Sequence, residues 1–137
     1  MIGIVVVTHG LLAGELVNAA RTIVGEIPHI ASVSIGWGDD MASAREAIER
    51  ALAEVGEGGA LVLTDMFGGT PTNVALPFLS SDLTHPSGRV EIVTGVNLPM
   101  LIKLVGMREG NLLEVARVVA QQGRGAIYVA SEILEKK

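Results

Sequence analysis

Five short aliphatic runs, separated by stretches of a different periodicity, constrain this chain more than any other feature. Ile2 to Val7, Ile30 to Ile35, Ala60 to Thr64 and Arg89 to Thr94 read as strands, and Ala126 to Ala130 reads as a short fifth. Between them the apolar residues return at helical spacing. Leu12, Leu16, Ala19, Ala20 and Ile23 mark the inner face of a helix over Leu12 to Val24, which Gly25 stops. Ala44, Ile48, Ala51, Leu52 and Val55 do the same over Met41 to Val55, with charges on the other face. A short helix opens at Thr70-Pro71, with Thr70 as N-cap and the proline at the first helical position. Asn97 can cap a helix from Leu98 to about Val105. Asn111 and Glu114 have the spacing of a capping box for another, which Gly123 ends. The cluster Ser80-Ser81-Asp82 and the sequence His85-Pro86-Ser87-Gly88 read as loop and turn, and Glu132 to Lys137 as a polar tail.

Strands alternating with helices predict an α/β fold. It is a doubly wound, mostly parallel sheet with right-handed crossovers and helices on both faces. The expected strand order is 2-1-3-4, plus a short C-terminal edge strand, in a single domain over residues 1–137. Composition supports this. Hydrophobic residues make up 49 % of the chain but aromatics only 3 %, so the core is aliphatic, as strands buried on both faces require. A net charge of −5 argues against nucleic acid or an anionic membrane as the main partner. The absence of cysteine removes disulfides, thiolate zinc sites and a catalytic thiol. No basic leader and no apolar run near ~18 residues is present, so a cytoplasmic protein, not embedded in the membrane, is expected.

Strands 1 and 3 are neighbours in this order, and their C-terminal ends form the switch point where such folds bind ligands. His9 stands at the end of the first and Asp65 at the end of the third. A histidine in such a turn reads equally well as a helix cap. Three features favour chemistry. Gly10 removes bulk beside the ring. The following helix begins there with free N–H groups and the positive end of its dipole, an anion site. Asp65 can hold one imidazole N–H and leave the other nitrogen with a free lone pair, which makes the ring a nucleophile suited to a phosphoryl group. Gly68, Gly69 and Thr70 precede the next helix and could cradle phosphoryl oxygens with backbone N–H groups and a hydroxyl. Alone, that stretch reads first as a tight turn with an N-cap; next to His9 and Asp65 it reads as a phosphoryl cradle. Trp37, Met66, Phe67 and Met100 are large apolar residues in loops or at helix starts. They either face the rim of the crevice and dock a partner, or belong to the core.

Other chemistries fail on the residues. There is no Gly-x-x-x-x-Gly-Lys-Ser/Thr run and no Gly-x-Gly-x-x-Gly after the first strand. The acidic pair of a magnesium-holding receiver is absent where Thr8-His9-Gly10 stands, and Thr8 occupies the place of a histidine phosphatase's arginine. The three histidines have no ligand spacing, so no metal and no cofactor is expected; His29 and His85 read as solvated loop residues.

Three motifs in order resemble one family. Val7-Thr8-His9-Gly10 follows the first strand. Leu63-Thr64-Asp65-Met66-Phe67-Gly68-Gly69-Thr70-Pro71-Thr72-Asn73 follows the third. Thr94-Gly95-Val96-Asn97-Leu98-Pro99-Met100 follows the fourth. Together they resemble the mannose-type enzyme IIA of the bacterial phosphoenolpyruvate-dependent sugar phosphotransferase system, over essentially the whole chain. The resemblance implies that His9 accepts a phosphoryl group from HPr and passes it to a IIB domain. It implies that Asp65 contacts the active histidine and that Thr70 lies near the phosphoryl oxygens. It also implies a homodimer whose C-terminal strand, here Ala126 to Ala130, pairs with the other subunit. Because the chain stops after that strand, a separate IIB partner is expected, with membrane IIC and IID subunits reached only through it. Two alternatives stay open: a regulatory protein whose phosphorylation state is read by a non-transport partner, and the phosphoryl-donating subunit of dihydroxyacetone kinase.

Overall fold

A computed structural model describes residues 1–80 and 89–135. The predicted turn at His85-Pro86-Ser87-Gly88, and with it His85, lies outside the described residues, as do Ser81 and Asp82. Four parallel strands form one sheet in the order β2-β1-β3-β4: β1 is Gly3–His9, β2 Ile30–Ile35, β3 Ala60–Thr64 and β4 Val90–Thr94. The helices are α1 (Leu12–Val24), α2 (Met41–Val55), α3 (Thr70–Ala75, followed by a 3-10 turn at Leu76–Phe78), α4 (Leu98–Val105), α5 (Leu112–Gly125) and α6 (Ala130–Leu134).

The central strands explain their own composition. Ile4 and Val6 of β1 and Leu61 and Leu63 of β3 point into one core layer, closed by α1, α4 and α5. Val5, Val7 and Val62 point into the other, closed by α2 and α3. A strand covered on both faces has no solvent side, so its apolar residues run without alternation. The edge strand β2, by contrast, has exposed Ser32 and Ser34 between buried Val33 and Ile35. The predicted inner face of α2 is the observed one, and Asp40 caps it by accepting the Ser43 N–H at 2.6 Å. Asn97 and Asn111 cap α4 and α5 through the Met100 and Glu114 N–H groups, caps of the kind worth about 1 kcal/mol each.

Several expectations need correction. The stripe of α1 that meets the sheet is Ala13, Val17 and Ala20, with Leu12 and Ile23 exposed. Both stripes have helical period and share Ala20, and Leu16 of the expected stripe packs against the same core layer. Gly123 does not end α5, which runs to Gly125. A Cβ on Gly123 would lie 2.6 Å from Cγ and Sδ of Met100, so this glycine makes room for that side chain. Met100 is therefore a core residue, 2 % exposed, and not a docking residue. The fifth strand is not formed. Residues 127–129 are irregular and lead into α6, where a polar tail was expected. A strand exists only through a hydrogen-bonded neighbour, and among the described residues no strand is paired with this segment.

Arg108, a residue type that reads as surface, is buried at the opposite end of the sheet from His9. Its Nε donates to the Ile2 carbonyl at 2.7 Å and its Nη2 to the His29 carbonyl at 2.9 Å, fastening the start of β1 to the approach to β2. Burial lowers its pKa from the ordinary arginine value, against the opposing pull of the Glu109 carboxylate. His29 is exposed in the turn before β2 with a left-handed φ of 52°.

Candidate active site

β1 extends two residues beyond the predicted run and ends on His9, whose neighbour in register on β2 is Ile35. Beyond it the chain turns into α1 at Gly10, where φ is +55°. A side chain on Gly10 would point into open space, so its backbone conformation, and not crowding by the protein, calls for glycine. The Gly10 N–H is engaged by the Ile35 carbonyl at 2.9 Å. Thr8 is fully buried, and its Oγ1 accepts the Ala13 N–H of the first turn of α1 at 2.7 Å. Thr8 thus takes one of the helix donors that the sequence left free, and fixes the strand-to-helix turn on which His9 sits.

Asp65 follows β3 directly, and its Oδ2 lies 2.7 Å from Nδ1 of His9 while also accepting the His9 backbone N–H at 3.0 Å. Its other oxygen, Oδ1, accepts the Met66 N–H at 3.0 Å. The carboxylate side chain is 15 % exposed and the imidazole 50 %. Burial alone would raise the Asp65 pKa. The two bonds from His9, the charge of its ring and the Met66 N–H outweigh it, so the carboxyl lies below its ordinary range. An ionised acceptor on Nδ1 keeps the proton there, which leaves Nε2 with its lone pair directed away from the carboxylate.

Gly69 stands against that free nitrogen. A Cβ at position 69 would be 2.8 Å from Cε1 and 3.3 Å from Nε2 of His9. The residue is extended at φ −87°, ψ 171°, so space and not conformation demands glycine here. Gly68 is the reverse case, with φ +84° and nothing near its missing side chain. The cap of α3 falls on Gly69, one residue before the expected Thr70, and Thr70 becomes the first helical residue with an exposed side chain.

The structure thus brings His9, Asp65 and Gly69 together, with Gly68 and Thr70 on either side of Gly69. Trp37, Met66 and Phe67 are all exposed in loops at this end of the sheet, as is Leu11, which sequence reasoning passed over. The Trp37 loop is held in shape: Asp39 Oδ2 accepts the Gly36 N–H at 2.6 Å, and the Asp39 N–H returns to the Gly36 carbonyl at 3.2 Å. Thr8 and Thr72, both buried, were also missed. Their signal is the threonines near the ends of β1 and β3, at positions 8, 64, 70 and 72. Among the described residues, no group of three or more His, Cys, Asp or Glu is placed to hold a metal ion, and no helix is long and apolar enough to cross a membrane.

A group that presents one imidazole nitrogen, holds the other with a carboxylate and leaves a glycine-wide lane beside it can attack an electrophile in line. The family model EIIA-man, described as PTS system fructose IIA component, matches residues 3–120. The fructose-specific EIIA component of Bacillus subtilis is 32 % identical over 99 % of this chain and 91 % of its own length. The mannose-specific EIIAB component of Escherichia coli is 28 % identical over 92 % of this chain, which spans 38 % of that longer protein. The mannose/sorbose-specific IIA subunit of Enterococcus faecalis superposes with a TM-score of 0.81 at 31 % identity, covering 93 % of both chains.

Proposed function

The chain belongs to the EIIA-man family of phosphotransferase-system IIA components, and from that premise we propose that Nε2 of His9 accepts a phosphoryl group from phospho-HPr and passes it to a IIB domain or subunit. The observation that carries this reading is the 2.7 Å contact between Asp65 Oδ2 and Nδ1, which leaves Nε2 as the nucleophile beside Gly69. In the transfer, the Nε2 lone pair forms a bond to phosphorus. The bond from phosphorus to the donor's imidazole nitrogen breaks, and its electron pair returns to that ring. The Nδ1 proton stays on the bond to Asp65, whose charge balances the positive charge that builds on the ring. Gly68, Gly69 and the Thr70 hydroxyl receive the phosphoryl oxygens, and Gly10 leaves open space on the other side. The work is positioning and charge neutralisation. Trp37, Met66, Phe67 and Leu11 form the apolar rim on which HPr and IIB dock, with Trp37 held out by its hydrogen-bonded loop. The protein acts in the cytoplasm and reaches membrane IIC and IID subunits only through IIB.

Purified phospho-HPr is the probe. One phosphate, acid-labile, should appear on the chain by mass spectrometry, at the same rate with and without excess EDTA. ATP alone should leave the mass unchanged. Transfer stopped by EDTA, or labelling by ATP, would replace this reading with a metal- or nucleotide-dependent one.

A homodimer is part of the same reading. β4 is the sheet edge; among the described residues it is paired only to β3 and, at Val90, to Ser80. A groove of about 650 Å³ runs between β4 and α5 and reaches Ile127. Ile127, Tyr128 and Val129 are all more than half exposed. An open edge and an unpaired apolar segment in one chain are complementary between two chains, where each segment can add to the other's edge. Light scattering should give about twice the 14.3 kDa of one chain. Removal of residues from Ala126 onward should shift the protein towards monomer. A full-length monomer at tens of micromolar would contradict the exchange.

A further inference from the structure

Two threonines with no part in the proposed reaction are fully buried next to it. Thr64 ends β3 and Thr72 lies in the first turn of α3, with their Oγ1 atoms 2.6 Å apart. Thr72 Oγ1 also donates to the Met66 carbonyl at 2.6 Å. A hydroxyl has one proton, so Thr72, having given its own to Met66, accepts from Thr64. Met66 donates its N–H to Asp65 Oδ1, and Asp65 Oδ2 meets His9 Nδ1. An ordered series of contacts therefore runs from the buried end of β3 through Thr72, the Met66 backbone and Asp65 to the imidazole. Met66 is gripped on both sides of its Cα, although its side chain and its neighbours Phe67 and Gly68 are exposed.

We propose that Thr72 is a positioning residue for the transfer: its hydroxyl fixes the Met66 backbone, which fixes the rotation of the Asp65 carboxylate and so the tautomer of His9. The terminal torsion of an aspartate is broad, and a carboxylate with one oxygen anchored has its other oxygen aimed. Valine at position 72 would keep the shape but remove the hydroxyl that holds the Met66 carbonyl and leave the buried Thr64 hydroxyl without its partner, and the loop carrying Asp65 would relax. The proposal rests on the reading of Nε2 as the nucleophile.

The test uses the whole protein labelled with ¹⁵N-histidine, before phosphorylation, at about pH 9, where imidazole is neutral. In the wild-type chain the ring nitrogens of His9 should report mainly the Nδ1–H form. In Thr72→Val a substantial Nε2–H population should appear, and transfer from phospho-HPr should slow about tenfold, the effect typical of a group that orients a reactive imidazole. Thr72→Ser should restore both. A folded Thr72→Val protein with the wild-type tautomer ratio overturns the inference. Should that variant not fold, Thr72→Ala removes the same hydroxyl with less bulk against Thr64, and the same tautomer shift is expected; an unchanged ratio there overturns it equally. The ring spectrum needs no phosphoryl donor. A wild-type chain that refuses the phosphoryl group therefore overturns the carrier function, whereas normal transfer with unchanged tautomers in the variant overturns the role of Thr72 alone.

Discussion

His9→Ala will take up no phosphoryl group when incubated with phosphoenolpyruvate, enzyme I and HPr, while the wild-type chain gains one acid-labile phosphate. The expectation is total because the reaction forms a bond to this side chain, and among the described residues the geometry offers no substitute. His29 lies in the turn before β2, at the opposite end of the sheet from Asp65. Alanine at position 9 also removes little from the core, since the imidazole is half exposed. The variant should fold, and the circular dichroism melt of both proteins checks that loss of labelling is loss of the nucleophile. Undiminished labelling of His9→Ala would place the phosphoryl group elsewhere and end the present mechanism.

Asp65→Asn should retain the fold and slow transfer from phospho-HPr by about 10–10³-fold, the range of orienting and charge-stabilising groups. An amide in place of the carboxylate removes the charge that balances the ring and can present N–H where an acceptor is needed. Asp65→Ala should fall in the same range. Rapid-quench measurement of single-turnover transfer decides, and wild-type rates in both variants would reduce Asp65 to a structural role. Acidity offers a second handle. The folded carboxyl titrates below its ordinary value of 3.8, so the unfolded chain takes up its proton first as pH falls. The stabilising contribution of the pair is therefore complete above that ordinary value and is lost as pH falls through the lower folded value. Near neutrality the carboxylate is ionised throughout, and its loss should show in the variants and not in the pH profile of the wild-type protein.

The sheet and most helices were legible in the residues because each periodicity had a single physical meaning. Runs such as Val5-Val6-Val7 can only be satisfied by burial on both faces. Asn97, Asn111 and Gly25 mark helix ends through local hydrogen bonds or a left-handed turn that need no distant partner. The order 2-1-3-4 placed His9 and Asp65 at adjacent strand ends, although 56 residues separate them. Where residues misled, the missing knowledge was always a neighbour. Ala126 to Ala130 has strand composition but, among the described residues, no strand paired with it. Met100 sits in a loop-to-helix motif yet fills the space that Gly123 leaves open across the α4–α5 interface.

By itself, then, the sequence determined the alternation of strands and helices and the caps at Asn97 and Asn111, and pointed to a histidine and a carboxylate at the switch point. The first two follow from local periodicity and local hydrogen bonds, the last from the expected strand order. Only the tertiary structure decided which nitrogen of His9 is held. That depends on a 2.7 Å distance between side chains far apart in sequence. It likewise decided that Gly69 is small for the sake of the ring while Gly68 is small for the sake of its φ. And it decided that Thr72, one threonine among several, carries a buried hydroxyl bonded to the loop that aims Asp65. Such distinctions depend on through-space contacts, which no spacing along the chain encodes.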